Sequence, residues 1–275
     1  MKILAVEFST NQRSVAILDD GVSHVSSPSP PPGERAGVGG APASHDNPPK
    51  LPHADSSPSP PLGERAGGEV ASSREPSPVQ ILGQAIETAT RATHAFALIE
   101  KALHDAAMER EDIECLAIGL GPGSYTGIRS AIALAQGWQL ARPVKLLGIS
   151  SAECLAAEAQ ANGFFGTVNV VIDAQRNELY LARYEITRHH YREVTALALA
   201  TPETVRSRLS AGDHIIGPES TRWFDTGKIF FPNAAALVRL AASRTDFLPG
   251  EKLEPIYLRE INFVKAPPPR VLPAE

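Results

Sequence analysis

A chain of 275 residues, 43% hydrophobic and 21% charged, has room for two ordinary domains and the balance of a soluble globular protein. Its formal net charge of -5 is spread without blocks of like sign, so no Lys/Arg footprint exists to hold nucleic acid unaided. No apolar run approaches the roughly 18–20 residues that cross a bilayer, and Glu7 interrupts the apolar start MKILAVEFST, which argues against a signal peptide and for a cytoplasmic protein.

In chain order, KILAVEF (2–8) and SVAILDDG (14–21) read as two strands joined by a short polar turn. The third strand should follow at once, but SSPSPPPGERAG (26–37) and its near-repeat SSPSPPLGERAG (56–67) intervene. Residues 22–78 hold 13 of the 24 prolines and 7 of the 21 glycines, with no Phe, Trp or Tyr. Such a segment cannot bury enough apolar surface to offset its ordering entropy, so a disordered low-complexity insertion is expected, in preference to a proline-rich ligand for a partner domain. Insertions of this kind cost little, because loop-closure entropy grows only logarithmically with length.

VQILGQAIET (79–88) then takes the role of third strand, and a helix is expected over 94–108, with Ala95, Leu98, Ala102 and Ala106 at helical spacing. ECLAIGL (114–120) reads as a buried strand, followed by a glycine loop, a helix over 128–140 and a fifth strand at 144–150. The second half opens with a helix at 151–161 and a hairpin, TVNVVIDA and ELYLARYEI, turning through Gln175, Arg176 and Asn177. Further helices are expected near 202–209 and 234–243. The domain expectation is therefore an α/β lobe over 1–150, a second over 151–265 and a flexible tail at 266–275. Cys115 and Cys154 lack metal-ligand spacing and read as buried thiols in a reducing compartment.

The most informative stretch is GLGPGSYTGIRSAIALAQG (119–137). A phosphate-binding P-loop needs a Lys after its last glycine, and Ile128 stands there; the glycines at 121, 123 and 127 do not give G-x-G-x-x-G either. A turn opening a helix N-terminus suits an anion, and it equally suits a structural cap with Ser124 or Thr126 accepting from the first turn; spacing puts the cap slightly ahead. Gly121, Pro122, Gly123, Ser124, Thr126 and Gly127 are taken together as a structural loop. The helix behind it carries a ridge of small residues, Gly127, Ala131 and Ala135, with Ala133 and Gly137 beside it, so one face packs internally and another is open to a partner.

Taken in order, ILAVEFST, SVAILDDG, THAFALIEKAL, the glycine block, GISSAECLA, VVIDAQRNELYLARY and EPIYLR resemble the TsaB (YeaZ) family over essentially the whole chain outside 22–78 and the extreme C-terminus. The resemblance implies a two-lobed actin-like/sugar-kinase ATPase (ribonuclease H-like) fold of the α/β class. It also implies a non-catalytic scaffold in the synthesis of threonylcarbamoyladenosine at position 37 of tRNAs reading ANN codons. Such a scaffold pairs with the paralogue TsaD, is joined by TsaE, forms a homodimer when TsaD is absent, and meets tRNA only through the complex. Carried over, the pairing surface lies on the helices at 94–108 and 128–140, with His94, Leu98, Lys101, Ala102, Ile128, Ile132, Ala135 and Gln136 as candidate contacts.

The resemblance implies no catalytic, cofactor or metal site of this chain's own. The active paralogue carries an H-x-x-x-H metal pair on the helix after the third strand; here His94 is followed by Leu98. ATPases of the fold open with Asp-x-Gly-x-Thr/Ser, whereas this chain has EFST. Glu7 departs even from the family's usual Asp, and Phe8 is expected to crowd its approach. IIGPES (215–220) is a faint candidate for an adenosine-binding glycine motif. The alternatives are an actin-like ATPase or TsaD-like transferase, and an inactive homologue of the peptidases once linked to this wider family.

Overall fold

The computed structural model describes residues 1–21, 80–88 and 94–259; the proline-rich insertion and the C-terminal tail lie outside the described residues. The first sheet is built from β1 (Lys2–Glu7), β2 (Gln12–Asp19), β3 (Ile81–Thr88), β4 (Cys115–Gly119) and β5 (Lys145–Ile149) in the order β3-β2-β1-β4-β5. The first three strands pair antiparallel, and β1, β4 and β5 pair parallel. The central strands are buried on both faces, as their uninterrupted apolar runs require.

Alternation sorts their side chains between two cores. Leu4, Val6, Leu116 and Ile118 face one layer, with buried residues of α1 (Ala95–Asp105) and α2 (Tyr125–Ala141). Ile3, Ala5, Cys115 and Ala117 face the other, where α6 (Ala234–Ala242) supplies Ala234, Leu237, Val238 and Ala241. So α6, from the segment read as second lobe, covers the back of the first sheet.

The second sheet repeats the plan. Strands β6 (Gly166–Asp173), β7 (Leu179–Ile186), β8 (Tyr191–Ala200), β9 (His214–Gly217) and β10 (Gly227–Ile229) lie in the order β10-β9-β6-β7-β8, antiparallel through β6, β7 and β8 and parallel through β6, β9 and β10. Helix α3 (Ser151–Ala161) buries Leu155, Ala156 and Ala159 on one face; α4 (Pro202–Arg208) and α5 (Ser220–Trp223) cover the other, with Val205 and Phe224 in its core. Two lobes with the same strand order are the duplicated α/β architecture of the actin-like ATPase fold.

Helix limits follow their caps. Helix α2 begins at Tyr125 rather than 128 because Ser124 accepts from the Gly127 N–H at 3.3 Å. Helix α1 stops at Asp105 rather than 108 because Ala107 turns into the left-handed region (φ 51°). Strands β8, β9 and β10 were not legible: β8 is an edge strand with exposed residues along most of its length, so it lacks a buried alternation, and the other two are short.

Candidate functional site

Strand β1 delivers Glu7 to the point where an actin-like ATPase keeps its metal-organising carboxylate. Here the carboxylate is fully buried. Its Oε1 accepts the Ser9 N–H at 2.8 Å and its Oε2 accepts the Ser151 hydroxyl at 2.9 Å. A methyl group at Gly119 would lie 2.0 Å from that same Oε2, so glycine is what lets β4 pass so close. Burial pushes the Glu7 carboxyl above its ordinary range, against the opposite pull of the Ser9 and Ser151 hydrogen bonds. Phe8, expected to crowd the approach, is instead buried in the core with Leu4 and Val6. Gly119 and Ser151 are the groups that seal the carboxylate.

The glycine loop is moulded on the same turn. The Ser124 N–H donates to the Ser9 carbonyl at 2.6 Å. Methyl groups at Gly123 and Gly127 would lie 2.1 Å from the Ser9 carbonyl oxygen and 2.0 Å from that of Phe8. Gly121 (φ 84°) and Gly123 (φ 151°) sit where side chains are strained, and the Gly121–Pro122 bond between them is cis. Of the two hydroxyls weighed as caps, Ser124 is the cap and Thr126 is exposed in the first turn. In IIGPES, a methyl at Gly217 would lie 1.8 Å from the Val171 carbonyl oxygen, so that glycine serves strand packing.

Facing this loop across a cleft of about 430 Å3 are Asp173, Gln175, Tyr180 and Glu219 of the second lobe. Ser9, Arg13, Ser124 and Tyr125 form the opposite wall. The residues after Leu253 bond to both walls. The Ile256 N–H donates to the Leu120 carbonyl at 2.9 Å, and Tyr257 stacks on Tyr125 with centroids 5.6 Å apart. The Arg129 guanidinium lies 4.4 Å from the Tyr125 ring centre. Arg259 donates to the carbonyls of Ala174 and Gln175 at 3.1 and 3.3 Å and pairs with Glu178. These bonds fix the β6–β7 turn, where Gln175, Arg176 and Asn177 all have positive φ.

The candidate contacts on α1 and α2 need correction. Leu98, Ala102, Ile128, Ile132 and Ala135 were expected on exposed faces, but all are buried in the core beneath the two helices. The i, i+4 stripe carrying them is the face that packs on the sheet. Gln136 is half-buried and donates to the Gly250 carbonyl at 2.9 Å. His94 and Lys101 are exposed. His94 Nδ1 lies 3.1 Å from Glu87 Oε2, while its backbone N–H donates to Oε1 of the same residue; Lys101 pairs with Asp105 at 2.8 Å. Among the described residues, no three His, Cys, Asp or Glu side chains are grouped to hold a metal ion.

The outward surface of these helices belongs to other residues. Phe96 is 72% exposed, and Ala133, Leu134, Gly137, Trp138 and Ala141 line a groove of about 440 Å3 beside it. Arg110, Glu111 and Arg142 rim the groove, with Arg142 paired to Glu111 at 3.3 Å. One signal for Phe96 was present in the sequence: it lies off the Ala95–Leu98–Ala102 stripe. Nothing local marks Ser9, Tyr125 and Glu219 as walls of one cleft, since they come from three distant segments.

The family model described as TsaD, tRNA N6-adenosine threonylcarbamoyltransferase, matches residues 88–248. The chain is 30% identical over 183 residues to the tRNA threonylcarbamoyladenosine biosynthesis protein TsaB of Escherichia coli (strain K12), covering 59% of this chain and 78% of that relative. It is 26% identical over 200 residues to the Haemophilus influenzae protein of the same name, covering 65% and 84%. YeaZ from Pseudomonas aeruginosa superposes with a TM-score of 0.64 at 21% identity, over 94% of this chain and 99% of that one, a likeness that shows the fold. Among the described residues no helix is long and apolar enough to cross a membrane.

Proposed function

Because the chain belongs to the TsaB (YeaZ) family of threonylcarbamoyladenosine biosynthesis proteins, we propose that it acts as a non-catalytic scaffold and activator in the modification of tRNA adenosine 37. In this reading it works in the cytoplasm, pairs with TsaD, is joined by TsaE, and contacts tRNA only through the assembled complex. A second copy of the chain takes the TsaD position when TsaD is absent.

The observation that carries the pairing is the apolar outer face of α1 and α2. An exposed phenylalanine beside a groove of small and aromatic side chains, rimmed by charge, has the anatomy of a protein interface: an apolar centre inside a polar rim. Ala133 and Gly137 keep the groove floor low enough for a partner helix to approach closely. The surface assigned to TsaD is therefore Phe96, Ala133, Leu134, Gly137 and Trp138, with His94 and Lys101 at its edge.

Non-catalysis is supported by the state of the two groups a catalytic paralogue would need. Glu7 spends both oxygens inside the protein and is roofed by Gly119. His94 is engaged by Glu87, and the residue a turn further on, Leu98, is in the core.

The test is reconstitution from purified TsaD, TsaE, a synthase supplying threonylcarbamoyl-adenylate, and unmodified tRNA. Modification should depend on this protein and should drop at least tenfold with Ala133→Arg, which sets a charge in the groove without touching the core. Modification that proceeds equally well without the protein would refute the reading.

A further inference from the structure

One exposed patch of the first lobe lies beyond the groove and continues its surface. On the outward side of α2, Tyr125 and Arg129 precede Ala133 and Gly137 at a spacing of four, and all are exposed. Tyr125 is 59% exposed, a large ring left on the surface. Residues 254–259 bring a second ring to it: Tyr257 stacks on Tyr125 with the planes 17° apart, and Leu258, next in sequence, is also exposed. The segment carrying Tyr257 is held on both sides. Leu253 is buried in the core, the Ile256 N–H donates to the Leu120 carbonyl, and the Arg259 guanidinium donates to the Ala174 carbonyl. The backbone, and not the stacking alone, sets the position of Tyr257.

Arg129 is held against both rings. Its guanidinium carbon lies 4.4 Å from the Tyr125 ring centre and 5.9 Å from that of Tyr257. Among the described residues no carboxylate pairs with it. The other cations around this surface are engaged: Lys101 with Asp105, Arg110 with Glu100 and Arg142 with Glu111. An exposed arginine ordinarily gains little from an ion pair, because ordering its long side chain offsets most of the attraction. Here the two rings have already ordered the side chain, and the guanidinium keeps donors to spare for a planar acceptor. Tyrosine and arginine are also the residue types that concentrate binding energy at protein interfaces.

We infer that the surface pairing with TsaD extends from the groove onto Tyr125, Arg129 and Tyr257, where Arg129 takes a carboxylate of the partner. The inference rests on the proposed pairing and adds to it a charged anchor and a part for the C-terminal segment. Continuity and charge together argue for this occupant. Arg129 precedes the middle of the Ala133–Gly137 floor by six residues, about 9 Å along the helix axis, so a partner seated on the floor reaches it. A partner placing a lysine or arginine there would be repelled, whereas a carboxylate meets a cation that no described residue neutralises. The flanking rings keep water from one side of that pair and so strengthen it.

Pairing of the full chain with purified TsaD, measured by biolayer interferometry at about 50 and about 500 mM salt, tests it. Arg129→Gln should weaken pairing about tenfold at the lower salt, equivalent to roughly 1.4 kcal/mol, and clearly less at the higher, where screening has already removed the attraction. Arg129→Glu should weaken it further. Arg129→Lys should retain the salt dependence that Arg129→Gln loses, a split that a merely structural side chain would not produce. Tyr257→Ala, which releases Arg129 without changing its charge, should weaken pairing about threefold. Arg129→Gln and Arg129→Glu proteins that pair as tightly as the parent, while Ala133→Arg abolishes pairing, overturn the anchor and leave the pairing standing. An equal loss for Arg129→Gln at both salts overturns the anchor too. A parent that does not bind TsaD overturns both readings. A loss confined to self-association, followed by sedimentation of the chain alone, gives the patch to a second copy and overturns the occupant assigned here.

Discussion

Helix α2 contains two glycines for which local propensity and tertiary structure give opposite predictions at one position and agree at the other. Replacing a helical glycine by alanine ordinarily stabilises by about 1 kcal/mol. At Gly137, which is exposed with nothing within 4 Å of an added methyl group, that gain should appear in full. At Gly127 the methyl would sit 2.0 Å from the Phe8 carbonyl oxygen, where ordinary contact begins near 3.4 Å. Helix and β1–β2 turn must separate by more than an ångström, against overpacking costs of roughly 1–3 kcal/mol. The separation also weakens the Ser124–Ser9 hydrogen bond of 2.6 Å and the Ser124 cap, each worth about 1 kcal/mol. After the propensity gain is set against these, Gly127→Ala should lose roughly 2–3 kcal/mol. Urea unfolding of both variants at one pH measures this directly, as opposite shifts of the midpoint with little change in slope. A Gly127→Ala protein as stable as the parent would refute the claim that this loop is moulded on the turn after β1.

Glu7→Gln should gain stability relative to the parent as pH rises. Burial raises the Glu7 carboxyl in the fold, so the parent loses stability from the ordinary carboxylate range upward, by at most about 1.4 kcal/mol per pH unit, while the glutamine variant does not. Parallel stability–pH curves for the two proteins between pH 4 and 8 would count against a buried, destabilised carboxylate. The thiols should be inert in the native state: Cys115 is pushed up to about 12 and Cys154 well above its ordinary value, in both cases chiefly by burial. An Ellman titration at pH 8 should report almost no free thiol before denaturation and two per chain after it; rapid native labelling would contradict the packing around β4 and α3.

The first sheet was readable almost strand by strand, because its central strands are uninterrupted apolar runs, and Ser124 caps α2 as its chemistry suggests. The absence of a P-loop lysine, of the Asp-x-Gly opening and of a second histidine one turn after His94 needed only the sequence. The outer strands of the second sheet escaped, since an exposed edge strand such as β8 has no buried period to read.

Orientation was what the sequence left open. Periodicity showed that Leu98, Ala102, Ile128, Ile132 and Ala135 share helix faces, but a stripe looks the same whether it meets a sheet or a partner. Only packing decided that these residues are core and that Phe96, Ala133 and Gly137 face outward. Packing also sent α6 back across the first sheet, buried Glu7 beneath Gly119, and brought Ser9 and Glu219 into one cleft from opposite ends of the chain. Local chemistry sets caps, turns and periods within a few residues. Which face is buried, and which distant groups meet, follows from the apolar area that the sheets and helices must cover together.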